Sequence, residues 1–304
     1  RDNLGDWSSD VCSSDLLNSY VVRICNARQN YPALISFWAG VMTEAVSGML
    51  DKARSGREAV QAQNQEAIIL RLGPILNEGL AMKKVPEFRI GCYMLLSIMA
   101  SKGGLNDKLL TAMMEAVVLG WTADTFAPGL VCLSILAQQR GAKQMTKRVT
   151  KELLKVDGLS ELLLEISKTR RIDKLANGIV LALVDRLGKS GDATVLPLIG
   201  HIVQHELLSE AQETVVVKSL LLVAYRIDED IDPKGSVRQD LARALTTLAE
   251  YPGQPGVIAR KAMEDASVDI DELELKLQAS IRPKLIQSAP DGDVEMGDAD
   301  EDDL

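Results

Sequence analysis

The sequence predicts an all-α chain of stacked helical hairpins. Apolar residues recur at helical spacing along most of the chain, helix-ending segments return at intervals near 40 residues, and aromatic residues make up only 4% of the 304. The recurrence is clearest where Leu95-Leu96-Ser97-Ile98-Met99-Ala100-Ser101-Lys102-Gly103 is set against Cys132-Leu133-Ser134-Ile135-Leu136-Ala137-Gln138-Gln139-Arg140-Gly141, with Leu133 following Leu96 by 37 positions. Weaker echoes at Leu181-Ala182-Leu183-Val184 and Leu221-Leu222-Val223-Ala224 follow at further offsets of 48 and 40. Such spacing scatters around the ~40–47 residues of a HEAT or armadillo unit, so the expected architecture is an α-solenoid. A stacked array of this kind works by offering surface rather than by catalysis.

The elements follow in order. Residues 1–16 are rich in Ser and Asp, without helical or strand period, and look like the conceptual translation of a sequencing-library adapter. They are expected to be non-native and disordered, outside a repeat segment spanning 17–282. Leu34, Phe37, Trp38, Val41, Ala45 and Met49 mark the buried face of a first amphipathic helix. From Glu58 to Met82 the pattern is continuous except at Gly73-Pro74, where a kink or a division is expected. Val85 to Phe126 reads as one hairpin: Pro86 opens a helix, Gly103-Gly104 ends it, and Asn106-Asp107 caps the next. Ile172, Leu175, Ala176, Ile179, Leu183 and Leu187 mark another buried face, and Gly188 is the expected left-handed cap after Leu187. Thr214-Val215-Val216-Val217 is β-branched, yet it runs on into Lys218-Ser219-Leu220-Leu221-Leu222-Val223 at a length that favours helix.

The chain carries 34 Lys/Arg and 43 Asp/Glu, a net charge of −9. Residues 291–304 alone hold eight acidic residues and no basic one, and 1–16 hold one basic and four acidic, which leaves 17–290 close to neutral at +2. Such a body has no global field to steer it to nucleic acid or to acidic membranes. The segment 283–304 reads as an acidic disordered tail, either a solvating linker or a docking peptide for a basic partner. No apolar run is expected to reach the roughly 18 residues of a membrane span and no signal-peptide pattern is present, so a soluble intracellular protein is expected. With Cys12 set aside, Cys25, Cys92 and Cys132 lie far apart inside apolar helices and read as buried thiols.

Catalytic and metal motifs are missing. His201-Ile202-Val203-Gln204-His205 has the spacing of a helical zinc site, but Ile202 stands where a general-base Glu is needed and these are the only two His of the chain. A solvated or cap-forming pair is the expectation. Gly188-Lys189-Ser190 resembles the end of a phosphate loop, but the first glycine of that motif is Leu183 here. No enzyme activity, metal or cofactor is expected. One feature does rise above background. Between residues 140 and 155 lie six basic side chains, Arg140, Lys143, Lys147, Arg148, Lys151 and Lys155, against the single acid Glu152. Laid on one helix they form a cationic arc opposite Met145, Val149, Leu153 and Val156, which Lys168, Arg170, Arg171 and Lys174 would extend. This arc is either an ordinary solvated face or a contact for RNA phosphates or an acidic protein.

Several long strings carry a resemblance. Tyr31-Pro32-Ala33-Leu34, Phe37-Trp38-Ala39-Gly40, Leu76-Asn77-Glu78-Gly79-Leu80-Ala81-Met82, Arg89-Ile90-Gly91-Cys92-Tyr93-Met94-Leu95-Leu96 and Leu109-Leu110-Thr111-Ala112-Met113-Met114-Glu115-Ala116-Val117-Val118 are similar to the fungal U3 small nucleolar RNA-associated protein 10 family. The likeness is strongest over 31–149 and extends to about 290. It implies a fragment of a longer HEAT-repeat scaffold of the nucleolar small-subunit processome, non-catalytic and required for pre-ribosomal RNA transcription and 18S rRNA processing. Processome proteins are the implied partners, with pre-ribosomal RNA or the U3 ribonucleoprotein as direct or indirect contacts. No membrane and no small-molecule substrate is implied. The same architecture read without the resemblance also fits an adaptor for protein transport or signalling.

Overall fold

Prolines, polar caps and glycines cut the chain into helices. The computed structural model describes residues 7–266 apart from 28, 55–57, 142, 228 and 229. Among the described residues the regular elements are α1 (Trp7–Asn26), α2 (Pro32–Ala53), α3 (Glu58–Ala81), α4 (Pro86–Lys102), α5 (Asp107–Val118), α6 (Ala123–Arg140), α7 (Lys147–Leu153), α8 (Leu159–Ser167), α9 (Asp173–Ser190), α10 (Leu196–Gln204), α11 (Glu210–Arg226), α12 (Ser236–Glu250) and α13 (Gln254–Asp265), with one 3₁₀ turn at Ala193–Val195. Pro32 and Pro86 open their helices at the first position, where a missing N–H costs nothing. The Asn106 side chain accepts from the Leu109 N–H at 2.9 Å, and Thr122 and Ser209 begin capping boxes with Thr125 and Gln212. Thr214–Val217 lies inside α11, as the length of its apolar run predicts.

The helices pack in two ranks of sequential neighbours. In one rank α2 meets α4, α4 meets α6, α6 meets α9, α9 meets α11 and α11 meets α13; in the other α1 meets α3, α3 meets α5, α5 meets α7, α8 meets α10 and α10 meets α12. The recurring segments of the sequence fall in α4, α6, α9 and α11, all of the first rank, with Leu96, Leu133, Leu183 and Leu221 buried. Small residues let this rank close up. A Cβ on Gly91 of α4 would stand 2.6 Å from the Trp38 ring of α2, and one on Gly178 of α9 would stand 2.7 Å from the Met145 methyl. Trp38 itself is fully buried, packs tilted against Phe88 with ring centroids 4.8 Å apart, and donates its indole N–H to Asn18 of α1 at 2.8 Å.

The structure corrects several expectations. Residues 7–16 are helical as the start of α1, because extending a helix already nucleated by the amphipathic stretch after Leu17 needs no period of its own. In α2 the buried stripe is Ile35, Trp38, Ala39, Met42, Val46 and Leu50, whereas Phe37 is 61% exposed and Val41 and Ala45 also face out; the wide apolar surface of this helix hid the correct phase. That 22-residue helix is also long and apolar enough to cross a membrane by length and composition, although its buried stripe is packed against α4. Pro74 sits inside α3 without dividing it. The left-handed cap of α9 is Gly191, at φ +64°, rather than Gly188, which lies within the helix beside Val223. Residues 1–6 and the acidic segment 283–304, together with 267–282 of the expected repeat region, lie outside the described residues.

A cation is sealed in this core. Arg89 of α4 is 1% exposed and has no carboxylate partner among the described residues; its guanidinium donates to the carbonyls of Val117 (3.0 Å), Leu119 (2.8 Å) and Gly120 (2.9 Å) and to the Tyr93 hydroxyl (2.6 Å). These carbonyls close α5 and its turn, so the cation caps a helix C-terminus where the peptide dipoles concentrate negative charge. Tyr93, whose ionisation burial pushes up, donates to Val117 at 3.1 Å. Replacing Arg89 with Met strands these acceptors in the core. We expect a loss of at least about 3 kcal/mol and a fall in Tm on the order of 10 °C by calorimetry, with Arg89→Lys recovering only part because an ammonium cannot span the same fork.

Glu213 of α11 is 3% exposed and its Oε1 has no hydrogen-bond partner. Burial, reinforced by Glu206 and Glu210, pushes its carboxyl up to about 7 from an ordinary 4.5. The folded chain then keeps a proton that the unfolded chain has lost, so this group's contribution is best below pH 4.5 and worsens as pH rises through the window to 7. Glu213→Gln should raise Tm by a few degrees at pH 8 and leave it unchanged near pH 4.5; an equal shift at both values would contradict the assignment.

Candidate anion-binding cleft

The six basic residues singled out in the sequence do not share a helix. Arg140 ends α6, Gly141 turns at φ +84°, Thr146 caps the next start by accepting from the Val149 N–H at 3.3 Å, and only Lys147, Arg148 and Lys151 lie in the seven-residue α7. The linker is pinned by Met145, which is buried and donates its N–H to the Gly178 carbonyl of α9 at 3.0 Å. A continuous cationic arc therefore does not form, although Met145, Val149, Leu153 and Val156 are buried as predicted.

Four of the six cations are tied to carboxylates. Arg140, with only 10% of its side chain exposed, bonds Asp107 at 3.0 Å, and Lys143 reaches the same oxygen at 3.2 Å. Desolvation of Asp107 opposes its ionisation, but the hydrogen bonds from Lys143 and Arg140 prevail and hold its carboxyl below the ordinary range. Arg148 stands 3.8 Å from Glu115 of α5, and Lys155 pairs with Glu152 at 2.6 Å. The pairs at Asp107 and Glu115 join α5 to the elbow between α6 and α7, and the one at Glu152 is local to the end of α7. They leave little charge for a ligand.

Lys147 and Lys151, one turn apart and exposed, have no ion-pair partner among the described residues. They form one wall of a cleft of about 480 Å³ whose other wall is Asp185, Arg186, Lys189 and Ser190 of α9, with Met145 and Ala182 buried at its base. Arg186 is bonded to Asp192 at 2.6 Å and Lys189 to Asp185 at 2.6 Å. The cleft thus carries four cations against the one carboxylate that lines it, and suits an extended anionic chain. Arg186 and Lys189 were not legible as partners of α7, because nothing local links residues so far apart in sequence. Lys168, Arg170, Arg171 and Lys174 do not extend the patch. They lie before or at the start of α9, where Lys174 is roughly 18 Å from Arg186 along the helix by its rise; Lys168 pairs with Glu165, Arg171 with Asp173, and Lys174 donates to the Gln138 carbonyl.

The remaining motifs resolve simply. The His201 and His205 rings lie 4.2 Å apart on α10, with His205 at its C-cap; burial and the neighbouring His205 push the His201 imidazole down. Among the described residues no group of three potential ligands could hold a metal ion. Cys25, Cys92 and Cys132 are free and buried, and desolvation raises all three thiols, Cys25 to about 11 and Cys132 to about 12. Such thiols are unreactive at neutral pH.

Comparison with known proteins gives a consistent relationship. Residues 68–183 match the family model described as U3 small nucleolar RNA-associated protein 10. The protein of that name from Chaetomium globosum is 46% identical over 284 residues, covering 93% of this chain and 16% of the relative. Those from Pyricularia oryzae and Coccidioides immitis are 47% and 36% identical, each covering 90% of this chain and 15% of the relative. The chain spans about a sixth of the length of these relatives. By sequence this chain is similar to one segment of the proteins described as U3 small nucleolar RNA-associated protein 10.

Proposed function

We propose that this chain is a non-catalytic α-solenoid segment of a scaffold in ribosome biogenesis, acting in the nucleolar small-subunit processome. The observation that carries this reading is the 46% identity over 93% of the chain to a protein named for its association with U3 small nucleolar RNA. The packing supports it: two ranks of helices, each touching its sequence neighbours, bury one continuous core and leave long outer faces for partners. Its partners are mainly processome proteins. Pre-ribosomal RNA or the U3 ribonucleoprotein is a secondary contact, in support of pre-ribosomal RNA transcription and 18S rRNA processing. The catalytic part of that work belongs elsewhere, since a scaffold contributes by fixing the relative positions of its partners.

Expression of a tagged chain in a fungal cell, followed by mass spectrometry and RNA sequencing of the purified material, tests this reading. Enrichment of small-subunit processome proteins and 5′ pre-ribosomal RNA is expected, with a nucleolar signal; recovery of transport or signalling machinery with a cytoplasmic signal would overturn it. The electrostatics set a second expectation. Six free cations on single-stranded RNA would give a log–log salt slope near −4, whereas the two unpaired ones, Lys147 and Lys151, set a limit near −1.5. A measured slope as steep as −4 for oligouridine would mean that the ion pairs at Asp107, Glu115 and Glu152 open on binding.

A further inference from the structure

We propose that the cleft between α7 and α9 docks an acidic peptide in extended form, and that residues 291–303 of this same chain are its occupant. The inference does not rest on the ribosomal reading, because cleft and segment both belong to this chain.

Charge is the first argument. Lys147, Lys151, Arg186 and Lys189 line the cleft and Asp185 is its only lining carboxylate, while residues 291–304 hold eight acidic residues and no basic one. Lys147 and Lys151 have no other ion-pair partner among the described residues, so pairing with the segment breaks nothing already made there. Spacing is the second. The two lysines are four residues apart on a helix, a rise of about 6 Å, and alternate residues of an extended chain are about 6.6 Å apart. In the run 291–296, Asp291, Asp293 and Glu295 alternate with Gly292, Val294 and Met296. An extended chain therefore presents its acids to the α7 wall at the lysine spacing and turns Val294 and Met296 to the opposite side, toward Ala182 of α9.

Reach is the third. From α13, where Asp265 pairs with Lys218 of α11, the cleft lies two helix-to-helix steps away through α11 and α9. At 8–10 Å a step this is roughly 20 Å. Residues 267–290 supply 24 links, and 24 residues can reach at most about 80 Å, well over this distance. A segment tethered within reach meets the cleft at a higher effective concentration than a separate molecule does, which favours exposed ion pairs that would be too weak between separate molecules. RNA is the poorer occupant, since a phosphate backbone carries no apolar side chain to set against Met145 and Ala182.

The full chain is treated with a carbodiimide, which couples a carboxylate directly to a contacting amine, and digested for mass spectrometry. Cross-links from the carboxylates of 291–303 to Lys147, Lys151 and Lys189 are expected, and those to Lys189, whose amine the variant retains, fall at least tenfold in Lys147→Glu/Lys151→Glu. Both substituted side chains are exposed, so an unchanged melting curve confirms that the variant is folded. Cross-links spread evenly over exposed lysines such as Lys83, Lys84 and Lys108, or persisting in the charge-reversed variant, would overturn the proposal. So would photo-cross-linking of an oligouridine to Lys147 and Lys151 with no cross-link from the acidic segment, which would make the cleft an RNA site.

Discussion

The buried guanidinium of Arg89 is the constraint on which the first half of this fold depends. A cation at 1% exposure without a carboxylate survives only because Val117, Leu119 and Gly120 turn their carbonyls toward it. That requirement fixes where α5 stops and how the chain turns, since Gly120 sits at φ +65° between the last carbonyls of α5 and the start of α6. Trp121 follows directly, packs edge-on to Phe126 at 5.1 Å, and leaves α6 room beside Gly129. One side chain on α4 thereby sets the end of one helix and the start of the next, coupling the two ranks at a single point.

Elsewhere the ranks are held by apolar contact and small residues. Gly91 and Gly178 mark where a helix approaches its neighbour more closely than a side chain permits, one against Trp38 and the other against Met145. Met145 is held there by the hydrogen bond from its N–H to Gly178, which carries the linker after α6 across α9 and opens the cleft beside α7. Most of the positive charge near this elbow serves the fold: Asp107 anchors Arg140 and Lys143, and Glu115 faces Arg148. What remains for a ligand is local and small. Such a surface is in keeping with the proposed scaffold, whose contacts would be distributed along its length.

The helical character of the chain and much of its punctuation were legible in the sequence, because they follow from local chemistry. Pro86 and Asn106 act within one turn of where they stand, and the α9 stripe from Leu175 to Leu187 is narrow enough to fix its own phase. Where the apolar surface is wide, as in α2, periodicity does not determine which side a neighbour covers; Phe37 was assigned to the core and faces out. The candidate site failed for the same kind of reason. A helical wheel for 140–155 presumes one helix, and Gly141 and the Thr146 cap break it.

By itself, then, the sequence determined an all-helical chain with a near-neutral body, an acidic end and a family likeness that comparison bears out, because composition, periodicity and string identity are properties of the chain alone. The tertiary structure decided which cations are spent on the fold and which are left over. Lys147 and Lys151 are indistinguishable from Arg140 and Lys143 in sequence, and only the approach of α5 and α9 separates them. It also decided that Arg89 is a core residue, since burying a charge depends on carbonyls some thirty positions away that no local pattern announces.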